Sequence, residues 1–246
     1  MIYYFWIGWK INTPAAYQCW LKKILCIQNI SCETLGVLEN MFRSDGFAIE
    51  NVDGQAGEFP KTLGYSAIIV LGGPMAVYDN LPYLQKEQEL IKDAIKNNIP
   101  VFGICLGSQL IAQATGGKVH KGAKKEIGWH DVSISPAGKD DVFFGIKQQN
   151  MRVFQWHGDT YDLPSNAAVL AYSDLYPQAF RVGSAVGIQF HLEVNDSLIK
   201  DWIKEYDSEV KSEKMDSRNI LPKAGDVDQL TEKCQTVYRN FTKMIK

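Results

Sequence analysis

Cys105 stands in a glycine-flanked stretch, Gly103-Ile104-Cys105-Leu106-Gly107-Ser108-Gln109. The apolar run Pro100-Val101-Phe102 leads into it, and the helical spacing of Leu110, Ile111 and Ala114 follows at once. Strand, strained turn and helix in that order form a nucleophile elbow, which presents one reactive side chain at the edge of a sheet. Glycines around the turn give the backbone room and leave one face unobstructed. A sulfur there lies at a helix N-terminus, where free N–H groups and the helix dipole favour the thiolate. A lone cysteine in an apolar run otherwise packs in a core. The argument for chemistry is a second stretch, Gly187-Ile188-Gln189-Phe190-His191-Leu192-Glu193. His191 and Glu193 are two apart at a strand end and so share a face. A thiol nucleophile needs a base, and the base needs a group that holds its ring. Cys105, His191 and Glu193 therefore have the make-up of a catalytic triad.

The elements that must position these residues follow from the hydrophobic pattern. Lys23–Gln28 is a continuous apolar run, as expected of a central parallel strand buried on both faces. Residues 33–45 carry helical spacing (Leu35, Leu38, Met41, Phe42), with Gly46 suited to end the helix. A strand over 47–52, a polar loop over 53–64 and a buried strand over 67–71 come next. Gly72-Gly73-Pro74-Met75 closes that strand; it either punctuates the strand or aims a backbone N–H at an oxyanion. Pro82 opens a helix predicted over 82–98, and Gly116-Gly117 stop the helix after Cys105. Strands alternating with helices predict right-handed βαβ units, a parallel sheet and an α/β fold. Ligands bind beyond the carboxyl ends of such strands, where both Gly72-Gly73 and Cys105 fall.

Residues 118–190 change character to short β runs, predicted over 131–135, 152–156, 169–173, 178–182 and 185–190. Lys118, Lys121, Lys124 and Lys125 form a basic cluster, which reads as a solvated face or as a surface for a phosphorylated acceptor or acidic partner. Trp156-His157-Gly158-Asp159 holds too few ligand types for a metal. Helices are predicted over 196–206 and 228–245. No linker or repeat divides the chain, which reads as one domain over 21–246. Residues 1–20 are expected to be a disordered or loosely docked extension, since the aromatic run from Tyr3 to Trp9 is too short to span a bilayer.

The 246 residues are 46% hydrophobic, enough for a full core. With 26 basic and 28 acidic side chains the net charge is −2, which gives no nucleic-acid or membrane-surface signature. Five cysteines without a CxxC spacing imply a reduced, cytoplasmic protein with no zinc site, and four scattered histidines give no other metal.

The elbow and the Phe190-His191-x-Glu193 stretch, joined by Val70-Leu71-Gly72-Gly73-Pro74-Met75, Glu126-Ile127-Gly128-Trp129 and Gln155-Trp156-His157-Gly158-Asp159, resemble the class I glutamine amidotransferases. The likeness is nearest to the free-standing, GMP-synthase-like members and runs from about Lys22 to the C-terminus. Leu192 stands where many relatives have proline, and leucine holds an extended strand end equally well. The resemblance implies a flavodoxin-like α/β fold, with a mostly parallel sheet flanked by helices and a smaller β-rich subregion. It implies hydrolysis of the glutamine side-chain amide through a cysteinyl thioester, giving glutamate and ammonia without a cofactor. The N–H groups of Gly73 and Leu106 would hold the oxyanion; Gln109, Trp156, Gly158 and Asp159 would contact substrate. This chain contains no GxxxxGK[ST] phosphate loop, so a separate ATP-dependent synthetase of the GMP-synthase type is the expected consumer of the ammonia. A stand-alone γ-glutamyl peptide or amide hydrolase would use the same triad. A binding module with a vestigial site is the third reading, and the complete triad counts against it.

Overall fold

The computed structural model describes residues 22–60 and 64–245. The expected extension over 1–20 lies outside them. Strand β1 (Lys23–Gln28) points Ile24 and Cys26 into one apolar cluster and Leu25 and Ile27 into another. That two-sided burial is why its sequence is apolar without alternation. β2 (Ala48–Asp53) and β3 (Ala67–Val70) pair parallel to β1 on either side, and β4 (Val101–Ile104) pairs parallel to β3. Helix α1 (Val37–Ser44) covers one face through Leu38 and Phe42. Helices α2 (Pro82–Lys96) and α3 (Leu106–Ala114) cover the other through Leu84, Ile91, Leu110 and Ile111. Each such fully buried side chain contributes about 1.5–3 kcal/mol.

Beyond α3 the sheet continues with β5 (Lys118–Ile134), β6 (Asn150–Asp162), β7 (Ala168–Tyr172), β8 (Pro177–Val182) and β9 (Ala185–Ile188). A short helix, α4 (Pro136–Asp140), separates β5 from β6. The nine strands form one sheet in the order β2-β1-β3-β4-β9-β8-β7-β5-β6. The five strands from β2 to β9 are parallel, and the pairings from β9 to β6 are antiparallel. The fold is thus α/β, with one large sheet flanked by helices and a β-rich half. Helices α5 (Asp196–Glu205), α6 (Asp207–Ser212) and α7 (Asp226–Met244) follow β9; Trp202, Leu230 and Phe241 join the cluster beneath α1. Among the described residues no helix is long and apolar enough to cross a membrane.

Three local predictions are corrected. The helix predicted to start at residue 33 starts at Val37, because Gly36 has φ 52° and its backbone crosses the end of the β9 segment. A methyl on Gly36 would collide with the Glu193 carbonyl oxygen, to which Val37 N–H donates at 2.9 Å. The short β runs expected over 131–135 and 152–156 are parts of the long hairpin β5–β6, whose register shifts at a bulge between Lys121 and Glu126. Lys125 is not simply solvated: it pairs with Glu209 at 2.6 Å and Glu213 at 3.1 Å, tying β5 to the α6 region.

Candidate active site

β4 and β9 are neighbours in register, Ile104 opposite Ile188, and Cys105 N–H extends the pairing to Ile188 O at 2.9 Å. Cys105 therefore leaves the sheet beside the segment that carries His191. It is the N-cap of α3 with φ 52° and ψ −109°, a conformation that costs a non-glycine residue about 1–3 kcal/mol. The flanking glycines make this turn possible. A Cβ on Gly107 would collide with Val70 O, and one on Gly103 would come within 2.5 Å of the Gly107 carbonyl.

His191 and Glu193 follow β9, and Asn195 ends the segment by capping α5, accepting from Ser197 N–H and Leu198 N–H at 3.0 Å. His191 Nδ1–H donates to Glu193 Oε1 at 2.7 Å, and Leu192 N–H fixes the other oxygen at 2.9 Å. The Trp202 ring meets the imidazole edge-on at 4.7 Å between centroids. His191 and the Leu106 N–H both lie close enough to the Cys105 sulfur to favour its thiolate. Cys105, His191 and Glu193 are all buried, with Cys105 at 6% exposed and in contact with the pocket.

Burial pushes the Cys105 thiol up, opposed by its hydrogen bond to His191. Burial disfavours the His191 cation, yet the Glu193 charge and the hydrogen bonds to Cys105 and Glu193 hold it well above the usual histidine range. The two groups compete for one proton: burial keeps it on sulfur, and the carboxylate draws it onto the ring. The carboxylate lies in direct contact with the ring, so the raised basicity of His191 is the firmer of the two effects. The Leu106 N–H at the helix terminus and His191 both favour the thiolate, against the burial that pushes the thiol up.

The remaining predicted residues converge on the same pocket. His191 N–H bonds Phe154 O at 2.8 Å, which draws β6 alongside and brings Trp156–Asp159 over the sulfur. The Cys105 thiol faces Trp156 O at 3.7 Å, and Gln189 Nε2 faces the sulfur at the same distance. Gln109 Nε2 donates to Asp159 O at 3.4 Å and to Gln189 Oε1 at 3.3 Å; Tyr78 OH donates to Asp159 Oδ1 at 2.9 Å. Gly73 and Gly158 line the pocket, and Leu106 opens α3 next to Gly73. Thus Cys105, His191, Glu193, Gly73, Leu106, Gln109, Trp156, Gly158 and Asp159 are all brought together.

Two groups were missed by sequence reasoning. The first is a buried network in which His157 Nε2 meets Glu126 Oε2 at 3.0 Å, Gln178 Nε2 donates to the same oxygen at 2.6 Å, and His157 Nδ1–H donates to Asp159 O at 2.9 Å. Its role is to hold the pocket edge, and the paired Glu126-Ile127-Gly128-Trp129 and Trp156-His157 motifs were its only signal. The second is Glu33, which lines the pocket beside Cys105. It had no signal, because a single glutamate before a helix resembles any solvated one.

The family model for glutamine amidotransferase class I matches residues 35–204. The chain is 31% identical to the glutamine amidotransferase-like protein YfeJ of Salmonella typhimurium, over 73% of this chain and 79% of that one. It is 36% identical to a glutamine-hydrolysing GMP synthase subunit of Pyrococcus abyssi, over 54% and 69%. It is 31% identical to γ-glutamyl peptidase 4 of Arabidopsis thaliana, over 70% and 73%. Against the longer GMP synthases it spans about a third of their length, 31% in one from Tropheryma whipplei. The crystal structure of a glutamine amidotransferase from Thermotoga maritima superposes with a TM-score of 0.79 at 34% identity, covering 91% of this chain and 98% of that one.

Proposed function

Because the chain belongs to the class I glutamine amidotransferase family, we propose that it hydrolyses the side-chain amide of glutamine with Cys105 as nucleophile, His191 as proton carrier and Glu193 as the group that orients the ring. The observation that carries this reading is the Nδ1–Oε1 contact of 2.7 Å behind a cysteine held at φ 52° on a helix N-terminus. Cys105 sulfur attacks the γ-carbonyl carbon, and its proton passes through His191 to the amide nitrogen. The C–N bond breaks, ammonia leaves, and a γ-glutamyl thioester remains. Water, deprotonated by the same ring, then releases glutamate and restores the thiol.

The negative charge that develops on the carbonyl oxygen needs donors already in place. Leu106 N–H at the start of α3 and Gly73 N–H at the end of β3 are assigned that task, each worth on the order of 3 kcal/mol of barrier. Gln109 and the Trp156–Asp159 backbone are assigned to the glutamyl end of the substrate. The ammonia goes to a separate ATP-dependent synthetase, a reading supported by the likeness to a free-standing GMP synthase subunit. The free thiols of Cys26, Cys32 and Cys234 fit a reducing cytoplasmic setting.

The second reading is a γ-glutamyl peptide or amide hydrolase, favoured by the likeness to γ-glutamyl peptidase 4. Glutamate release from glutamine and from a panel of γ-glutamyl peptides separates them, with and without synthetases from the same genome. A slow glutaminase that accelerates with a synthetase supports the first. A fast rate on peptides that no synthetase changes replaces it with the second. Full activity in Cys105→Ala overturns both.

A further inference from the structure

Next to the nucleophile stands a carboxylate that the triad does not use. Glu33 lies in the turn between β1 and α1, is 7% exposed and lines the pocket with Cys105. Its Oε1 accepts from Tyr206 OH at 2.8 Å, whereas Oε2 has no hydrogen-bond partner among the described residues. Oε2 sits against Gly72: a methyl there would collide with it and would stand 3.3 Å from Cys105 Cβ. The turn is pinned from behind, with Trp202 Nε1–H donating to Cys32 O at 2.9 Å and Gly36 pressed against the Glu193 backbone. Glu33 is therefore fixed, half-satisfied and adjacent to the sulfur. Leaving a buried carboxylate oxygen unpaired is costly, so such an oxygen points to a donor that arrives with the ligand.

The chemistry of that donor follows from its surroundings. Gln109 and Asp159, to which the glutamyl end is assigned, already hold each other in the same pocket, Gln109 Nε2 donating to Asp159 O at 3.4 Å. Burial pushes the Glu33 carboxyl up, and the nearby His191 charge opposes this, so the carboxylate is favoured when the ring carries its proton. At that moment the ring protonates a nitrogen. We infer that Glu33, held by Tyr206, is the subsite of the departing amine, its Oε2 accepting an N–H of the scissile amide nitrogen as the C–N bond breaks. This rests on Cys105 being the nucleophile. Glu33 gains and loses no proton: the sulfur's proton reaches nitrogen through His191, and the amine leaves neutral. The substrate class is a γ-glutamyl amide or peptide whose nitrogen retains an N–H.

The test compares glutamine with a γ-glutamyl aryl ester, which offers the same acyl half but an oxygen leaving group. kcat/KM reports acylation for both. Glu33→Met keeps the length of the side chain and removes the acceptor; Glu33→Gln keeps one carbonyl oxygen. For Glu33→Met, kcat/KM on glutamine should fall on the order of 10- to 100-fold further than on the ester. Glu33→Gln should recover part of that difference, and the selective loss should lie in kcat more than in KM. Equal losses on the two substrates would overturn the subsite and leave Cys105 in place. A wild-type chain that releases no aryl alcohol in excess of Cys105→Ala would overturn the nucleophile reading, and the subsite with it.

Discussion

β1, β3, β4 and β9 run side by side, buried on both faces, and end together under the pocket. β5 and β6 lie at the far edge, pair antiparallel over a long reach and mix buried and exposed positions without strict alternation. The first region carries Cys105 and leads to His191, the proposed nucleophile and base; the second carries the pocket edge formed by Trp156–Asp159. They also carry opposite electrostatics. In the parallel half, Glu87 is fully buried on α2 with one oxygen unpartnered, and burial pushes its carboxyl up to about 8. In the antiparallel half, burial likewise opposes ionisation of Glu126, but the hydrogen bonds of His157, Ser173 and Gln178 and the charge of His157 outweigh it and lower its pKa. Burial thus favours the neutral form of Glu87, while the partners of Glu126 favour its charged form.

The largest effect should come from the parallel half. Cys105→Ala is expected to lower glutamine hydrolysis at least about a thousandfold with the fold intact; a parent rate in the purified variant would remove the chemistry from this half altogether. Glu193→Gln should cost less, because the ring is misheld but present. Glu193 is one of the groups holding the His191 pKa up. The variant's alkaline limb, where the ring can no longer protonate the leaving nitrogen, should therefore move to lower pH. A pH–rate profile with an unmoved limb would contradict this.

The electrostatic contrast gives a smaller, stability-based test. Glu87 keeps in the native state a proton that the unfolded chain loses above its ordinary pKa. Stability should thus fall as pH rises from about 4.5 to about 8. Glu87→Gln should remove that slope and stabilise near pH 8, with little change near pH 4. Glu126 has the opposite sign: its contribution is present above the ordinary carboxylate pKa and is lost as pH falls through its lowered one. Glu126→Gln should then destabilise most at neutral pH. Melting curves across this range would erase the contrast if both variants shifted in the same direction. The smallest effect concerns the elbow: Cys105→Gly should melt roughly 2–4 °C above Cys105→Ala, because glycine relieves the φ of 52°.

The same contrast explains what could be read from the chain alone. β1 matches its prediction residue for residue, and the grouping of Cys105, His191 and Glu193 could be anticipated because a glycine-flanked cysteine and a two-residue His–Glu spacing are local signals. β5 was hidden because its early residues, Lys118 to Lys125, are mostly polar and bend through a bulge, so neither an apolar run nor a clean alternation marks them. Glu33 was hidden for another reason. Its nearness to Cys105 comes from the adjacency of β1, β3 and β4, which no spacing in sequence encodes.

Among the described residues β9 is the last strand in chain order, yet it lies between β4 and β8. Without it the sheet is two ribbons, one parallel and one antiparallel, with no seam between them. The strand that joins them leads directly to His191 and Glu193, and its end completes the bed on which Cys105 turns. On the proposed chemistry, docking of β9 also arms the site: the chain carries the sulfur before it carries the residues assigned to deprotonate it, and the two meet only once β9 lies between β4 and β8.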